Sequence, residues 1–149
     1  NRKEMPQIYA AGSTVAIGKG NVLRQGEDVL LIAAGELLHP ALVAAETLHL
    51  QGISAEVIDM FTVKPLDRAL VVQEAKGKKR IITAENHNII GGLGSAVAEV
   101  LAEAGCGVPL TRVGVEDRFG QVGSIDFLKK DYGLTPEHIV SAAQQIRES

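Results

Sequence analysis

Short apolar runs and helical stripes alternate along the chain. Residues 29–33, Val-Leu-Leu-Ile-Ala, form an unbroken apolar run that follows the Gln25-Gly26-Glu27-Asp28 turn. Such a run suits a strand buried on both faces, as in a parallel sheet with helices on each side. Leu38, Ala41, Leu42, Ala45 and Leu48 keep i, i+3, i+4 spacing and predict a helix that stops at Gly52, with Pro40 in its first turn. A strand over 54–60 leads to the Pro65-Leu66-Asp67 turn, where Asp67 can cap a short helix that buries Leu70 and Val71. Residues 76–79 close that helix and 80–84 form the next strand. The clearest stripe is Leu93, Val97, Val100, Leu101 and Ala104, with Gly105 as its stop. Residues 110–115 read as a strand and 124–130 as a short helix. The last helix starts at Thr135 as N-cap with Pro136 at N1, and buries Ile139, Ala143 and Ile146. Near the start, residues 16–23 read as a Gly-broken edge strand.

The order β-β-α-β-α-β-α-β-α-α predicts one α/β sandwich with a parallel sheet, right-handed crossovers and helices on both faces. The first short strand can run antiparallel at an edge. Residues 1–12 are polar, contain Pro6 and show no period, so they read as an inter-domain linker arm ahead of a domain over 13–149. A chain that opens on Asn1 is expected to begin within a longer protein.

Composition narrows the function classes. The length of 149 residues suits one domain with a continuous core. A net charge of -3, from 15 Lys+Arg against 18 Asp+Glu, argues against nucleic acid. Aromatics at 3%, with no Trp, leave no base-stacking platform. No apolar run reaches the ~20 residues that span a bilayer, so no membrane partner is expected. The single cysteine, Cys106, rules out an intrachain disulfide and a cysteine-built metal site, which fits a reducing, cytoplasmic setting. Between Gly105 and Gly107, it reads as an inert thiol.

The most distinctive stretch is residues 85–95, Glu-Asn-His-Asn-Ile-Ile-Gly-Gly-Leu-Gly-Ser, which leaves the carboxyl end of a strand and enters a helix. Ligands of open α/β sheets usually sit at that end, and a Gly-rich helix start offers N–H groups to an anion. One reading is therefore phosphate or carboxylate binding, with Glu85 and His87 available for proton transfer. The other is that the glycines serve a sharp turn and close helix packing. Gly92-Leu93-Gly94 also resembles the opening of a dinucleotide fingerprint, with Glu116 in the acidic position. Against it, Val97 stands where the third glycine belongs, and six residues separate Glu85 from Gly92. His39, His49 and His138 fall on helices without metal-ligand spacing. Glu116, Asp117 and Arg118 read as a mutually paired surface cluster. With no nucleophile elbow, Walker A motif or metal set, catalytic residues and metal ligands are not expected in this chain.

Several segments resemble a known family. They are residues 17–23 (Ile-Gly-Lys-Gly-Asn-Val-Leu), 59–67 (Asp-Met-Phe-Thr-Val-Lys-Pro-Leu-Asp), 83–95, Val113-Gly114-Val115 and Phe119-Gly120. Together they resemble the C-terminal domain of transketolase-type enzymes, most of all the C-terminal subunit of split bacterial transketolases. The resemblance implies a three-layer α/β/α fold with a mostly parallel five-stranded sheet and an antiparallel first strand. It also implies the third domain of a thiamine-diphosphate enzyme that transfers a two-carbon ketol unit between sugar phosphates of carbohydrate metabolism. The cofactor and Mg²⁺ would lie between the other domains of a homodimer. The G-D-G motif that ligates them is absent here, so this domain alone is expected to be inactive and to bind neither.

Its own role would be structural and dimerising, with the N-terminal cofactor-binding domains or subunit as partner. Asn1-Arg2-Lys3-Glu4-Met5-Pro6-Gln7-Ile8 resembles the family's S-R-Q-N-L-P-Q-L joining segment, which implies Arg2 as a substrate-phosphate contact. Glu85, Asn86, His87, Gly91 and Gly92 are implied as an inter-domain or dimer contact. The alternatives are the C-terminal domain of deoxyxylulose-phosphate synthase, the docking domain of a 2-oxo-acid dehydrogenase β-type subunit, or a dinucleotide-binding domain.

Overall fold

The computed structural model describes residues 6–145. Its strands are β1 (Asn21–Arg24), β2 (Val29–Ala33), β3 (Ala55–Asp59), β4 (Arg80–Asn88) and β5 (Leu110–Val115). They form one sheet in the order β1-β3-β2-β4-β5. The pairs β2–β3, β2–β4 and β4–β5 are parallel, whereas β1 lies antiparallel against β3. This is the sheet expected from the sequence.

The apolar run of β2 is buried along its whole length, and its alternation sorts two cores. Val29, Leu31 and Ala33 pack with Leu38, Ala41, Ala45 and Leu48 of α1 (Leu38–Leu50) and with Ile139 and Ala143 of α5 (Pro136–Gln144). Leu30 and Ile32 face the other way, onto Val71 and Ala75 of α2 (Arg68–Ala75) and Leu93, Val97, Val100 and Leu101 of α3 (Leu93–Glu103). Each large aliphatic side chain so buried contributes roughly 1.5–3 kcal/mol. A helix α4 (Ile125–Asp131) begins at Ser124, whose hydroxyl accepts the Phe127 N–H at 3.2 Å.

The predicted helix stops are real and have a common cause. Gly52 and Gly105 take φ of +78° and +66°, the left-handed conformation that costs glycine least. The next N–H then folds back on the helix, from Ile53 to the Leu48 carbonyl at 3.0 Å and from Cys106 to the Leu101 carbonyl at 2.8 Å. Asp67 caps α2 as expected, accepting the Leu70 N–H at 3.2 Å.

Other expectations shift. The edge strand starts at Asn21 rather than residue 16, because polar partners take up the backbone before it. Gly18 N–H donates to Thr62 Oγ1 at 3.0 Å, and Gly20 N–H to Asp67 Oδ2 at 3.2 Å. Strand β4 continues beyond Ala84 to Asn88, with a register shift against β5 between those residues. Ala104 is exposed at the C-cap of α3 instead of buried in its stripe. Thr135 precedes Pro136 as predicted, but its hydroxyl bonds His138 Nδ1 at 2.9 Å and caps nothing. The acidic cluster is not mutually paired. A turn carries Arg118 across to α4, where its Nη2 meets Asp131 Oδ2 at 2.5 Å and its guanidinium stands 4.2 Å from the Tyr132 ring centroid. Ile146, expected in the last buried stripe, and Arg2 lie outside the described residues. Within the amino-terminal arm, Ile8 packs against the first core.

Candidate functional site

The strand order places a topological switch between β2 and β4. From β2 the chain moves to β3 on one side, then crosses back over β2 to β4 on the other. Loops leaving the carboxyl ends of such neighbours part in opposite directions and open a crevice. Here the crevice holds about 500 Å³ between Ala34, Gly35 and Glu36 after β2 and Glu85, Asn86 and His87 of β4, with Gly91 and Gly92 also lining it. A second hollow of about 480 Å³ adjoins it, sharing Val63, Gly91 and Gly92. The structure therefore brings all five sequence-predicted contact residues to one place.

Their roles differ. Glu85 is buried, and its carboxylate turns into the start of α3. Oε2 accepts the Leu93 N–H at 2.7 Å and Oε1 accepts the Gly94 N–H at 2.8 Å. The positive end of the helix is thus filled by the chain's own anion. This overturns the anion-cradle reading of the Gly-rich segment. It removes the same free N–H groups from the dinucleotide reading, and it commits the Glu85 carboxylate to the helix. Gly92 explains the fit, since a Cβ there would lie 2.0 Å from Glu85 Oε2. At Gly94 a Cβ would meet Arg112 Cγ and Thr83 Oγ1, each at 2.7 Å. The close-packing reading of these glycines is the one the geometry supports.

Asn86, His87 and Gly91 are exposed on the rim. The loop that carries them is pinned from beneath. Ile90 N–H donates to Asn88 Oδ1 at 2.8 Å, Gly91 N–H to Ser95 Oγ at 2.9 Å, and Arg112 Nη1 to the Ile89 carbonyl at 2.8 Å. Despite this ordering, Ile90 leaves 61% of its surface in solvent. Gly114 of β5 makes room for the bulged end of β4, since a Cβ there would meet Ile89 Cγ2 at 2.8 Å and the His87 carbonyl at 3.0 Å. The result is a rigid, partly apolar wall with a polar rim.

Sequence reasoning gave the Asp67 cap but missed its bond to Gly20 and the surroundings of two further buried carboxyls. Glu56, 1% exposed, pairs with Lys78 Nζ at 2.6 Å, and Lys78 also reaches the Gly26 carbonyl. Burial pushes the Glu56 carboxyl above its ordinary range, and Lys78 pulls it back part of the way. Asp59, at the carboxyl end of β3, accepts the Tyr9 hydroxyl at 2.6 Å, and its carboxyl is likewise pushed up by burial. Asp67 joins Gly20 to the start of α2. The signal was present, because a strand with apolar neighbours on both faces cannot hold two acids without partners. The cis peptide at Lys64-Pro65 was not foreseen either.

Among the described residues, no group of three or more His, Cys, Asp or Glu could hold a metal ion. No described helix is long and apolar enough to cross a membrane.

Comparison with known proteins accounts for this architecture. The chain is 47% identical over 147 residues to the 6-deoxy-6-sulfo-D-fructose transketolase subunit SqwH of Clostridium sp. (strain MSTE9), covering 99% of this chain and 45% of that protein. It is 39% identical over 137 residues to the 1-deoxy-D-xylulose-5-phosphate synthase of Heliobacterium modesticaldum, covering 92% of this chain and 21% of that protein. Among solved structures, a split-gene transketolase in an inactive β4 tetramer superposes with a TM-score of 0.92 at 42% identity, over 97% of this chain and 47% of that one. The chain thus spans less than half the length of each of these relatives. Residues 18–139 match the family described as transketolase, C-terminal domain. By that match and these identities, the chain belongs to the transketolase C-terminal domain family.

Proposed function

We propose that this chain is the C-terminal part of a thiamine-diphosphate-dependent transketolase, which moves a two-carbon ketol unit from a ketose phosphate to an aldose phosphate. Its own part is structural. It associates with the N-terminal cofactor-binding domains or subunit and supports a cytoplasmic homodimer that works in pentose phosphate metabolism. The observation that carries this reading is the self-filled crevice. Its natural anion seat holds Glu85, and the ordered rim around it presents Asn86, His87, Gly91 and Ile90 to solvent. Such a surface is built to meet another surface rather than a reacting molecule.

In the complete enzyme thiamine diphosphate and Mg²⁺ would supply the carbanion chemistry. The residues described here do not fit that cofactor. They include no metal-ligating cluster, and the Glu85 carboxylate would repel a diphosphate at the start of α3. The cofactor is accordingly assigned to the parts of the enzyme that precede this chain. Arg2 is assigned to the substrate phosphate, which a guanidinium can grip through paired, charge-assisted bonds.

The test is reconstitution. This chain alone should show no ketol transfer, and activity should appear when it is combined with the cofactor-binding portion. In that assembly His87→Ala is expected to weaken association about tenfold while kcat stays within about twofold, since a rim contact acts on binding rather than on the chemical step. Loss of turnover with the assembly intact would make His87 catalytic and overturn the reading. A second reading is favoured by the 39% identity to a 1-deoxy-D-xylulose-5-phosphate synthase. Release of 1-deoxy-D-xylulose 5-phosphate by the reconstituted enzyme, in place of ketol transfer, would establish it.

A further inference from the structure

The amino end of the sheet, opposite the crevice, holds a buried polar cluster. Glu56 takes the second position of β3 and is almost wholly buried. Its Oε2 accepts Lys78 Nζ at 2.6 Å, and Lys78 also donates to the Gly26 carbonyl. Gly26 packs so closely that a Cβ there would stand 2.3 Å from the Glu56 nitrogen. The lysine therefore ties the turn ahead of β2 to β3. A third partner comes from α2, whose Glu74 carboxyl lies within hydrogen-bond reach of Glu56.

Two carboxyl groups that close repel strongly if both are ionised, and most of all away from water. Glu56 Oε1 is also buried with no hydrogen-bond partner among the described residues. A carboxylate can only accept, whereas a protonated carboxyl can donate. One proton between the two acids therefore removes the repulsion and gives the orphaned oxygen a role. The neighbouring charges are engaged elsewhere. Lys79 bonds Asp28 at 2.6 Å, Arg80 of β4 bonds Thr111 at 3.0 Å, and Arg68 of α2 pairs with Glu103 of α3. Arg24 of β1 bonds Glu46 of α1, on the opposite face, at 2.7 Å, while Glu27 and Lys76 are exposed. Lys78 is thus the cation that serves Glu56.

We propose that Glu56 and Glu74 share one proton and form, with Lys78, a proton-operated clasp that holds the end of α2 to β3. The proton comes from solvent and returns to it. While it is bound, the charges of Lys78 and the two acids cancel. Its loss leaves two carboxylates on one ammonium, and the grip on α2 weakens. Burial, the largest influence, raises the Glu56 carboxyl, Lys78 pulls it down, and Glu74 raises it again. The clasp is accordingly complete below the unfolded value of this carboxyl and is lost as pH climbs through the folded one. Within that window, one proton held only by the folded chain makes the unfolding constant rise about tenfold per pH unit.

The test uses the full 149-residue chain and carbon-13 NMR of its glutamate carboxyls. In wild type the Glu56 and Glu74 signals should move together through common steps, as coupled acids do. Separate, independent titrations of the two would overturn the shared proton without any variant. Glu74→Gln keeps the shape of the side chain and offers an amide N–H to the Glu56 carboxylate. The Glu56 midpoint is expected to fall by about one unit or more in this variant. An equal or higher midpoint would mean that burial alone sets Glu56, and the proposal would fail. Urea denaturation between about pH 5 and pH 8 supplies the second readout. The rise of the unfolding constant with pH should be shallower in Glu74→Gln than in wild type. The same slope in both would show that α2 is not held through this proton.

Discussion

Replacing Lys78 with methionine is expected to lower the unfolding free energy by about 3–5 kcal/mol at pH 8, the usual cost of leaving one charge of a buried pair behind. Lys78 and Glu56 are 7% and 1% exposed, so solvent cannot take over the role of the missing partner. The Gly26 carbonyl loses its bond to Lys78 as well, and Glu56 Oε1 already lacks a partner. Burial is the chief influence on Glu56 and raises its carboxyl above the ordinary value of 4.5, with Lys78 acting in the opposite direction. Removing Lys78 leaves the raising influence unopposed.

The sign follows from linkage. A carboxyl whose folded pKa lies above its unfolded one binds its proton more tightly in the folded state. Its contribution to stability is complete below the unfolded pKa and is lost as pH climbs through the folded one. The deficit of Lys78→Met should therefore be larger at pH 8 than at pH 5. Urea denaturation at the two pH values measures this directly. A cost below about 1 kcal/mol, or an equal cost at both, would mean that Glu56 finds water or another cation.

The second large effect concerns the start of α3. Glu85→Ala should cost about 2–4 kcal/mol, because two buried N–H groups lose their acceptor and the helix loses a negative charge at its positive end. Glu85→Gln should fall between the two, since its carbonyl can serve one N–H while its amide opposes the other. Denaturant titration gives the stability, and amide exchange at Leu93 and Gly94 localises the loss. If Glu85→Ala proved as stable as wild type, the capping account of the crevice would be wrong.

How legible this was in the sequence depended on the range of the interaction. Helix stops at Gly52 and Gly105, the Asp67 cap and the two-faced β2 were legible because each is set by a few neighbouring residues. The continuation of β4 to Asn88 was not. It depends on Gly114 of β5 leaving space for the bulged strand, a contact made across the sheet. Glu85 shows the same limit at the site. Its place near the carboxyl end of a strand was evident, but the turn of its side chain into α3 is allowed by Gly92, seven residues on, where a Cβ would lie 2.0 Å from Glu85 Oε2. The resemblance to transketolase C-terminal domains gave the right fold and family. The residues alone had left the Gly-rich segment divided between an anion seat and a packing device.

The antiparallel direction of β1 has an architectural consequence. Every other strand delivers its loop to the crevice end of the sheet and receives the chain at the opposite end. Because β1 runs against them, with Asn21 beside Asp59, the chain enters the domain at the crevice end. A single reversed strand thus puts the doorway and the hearth on the same side of the house. The strand that opens the sheet starts beside the ends from which the crevice loops leave.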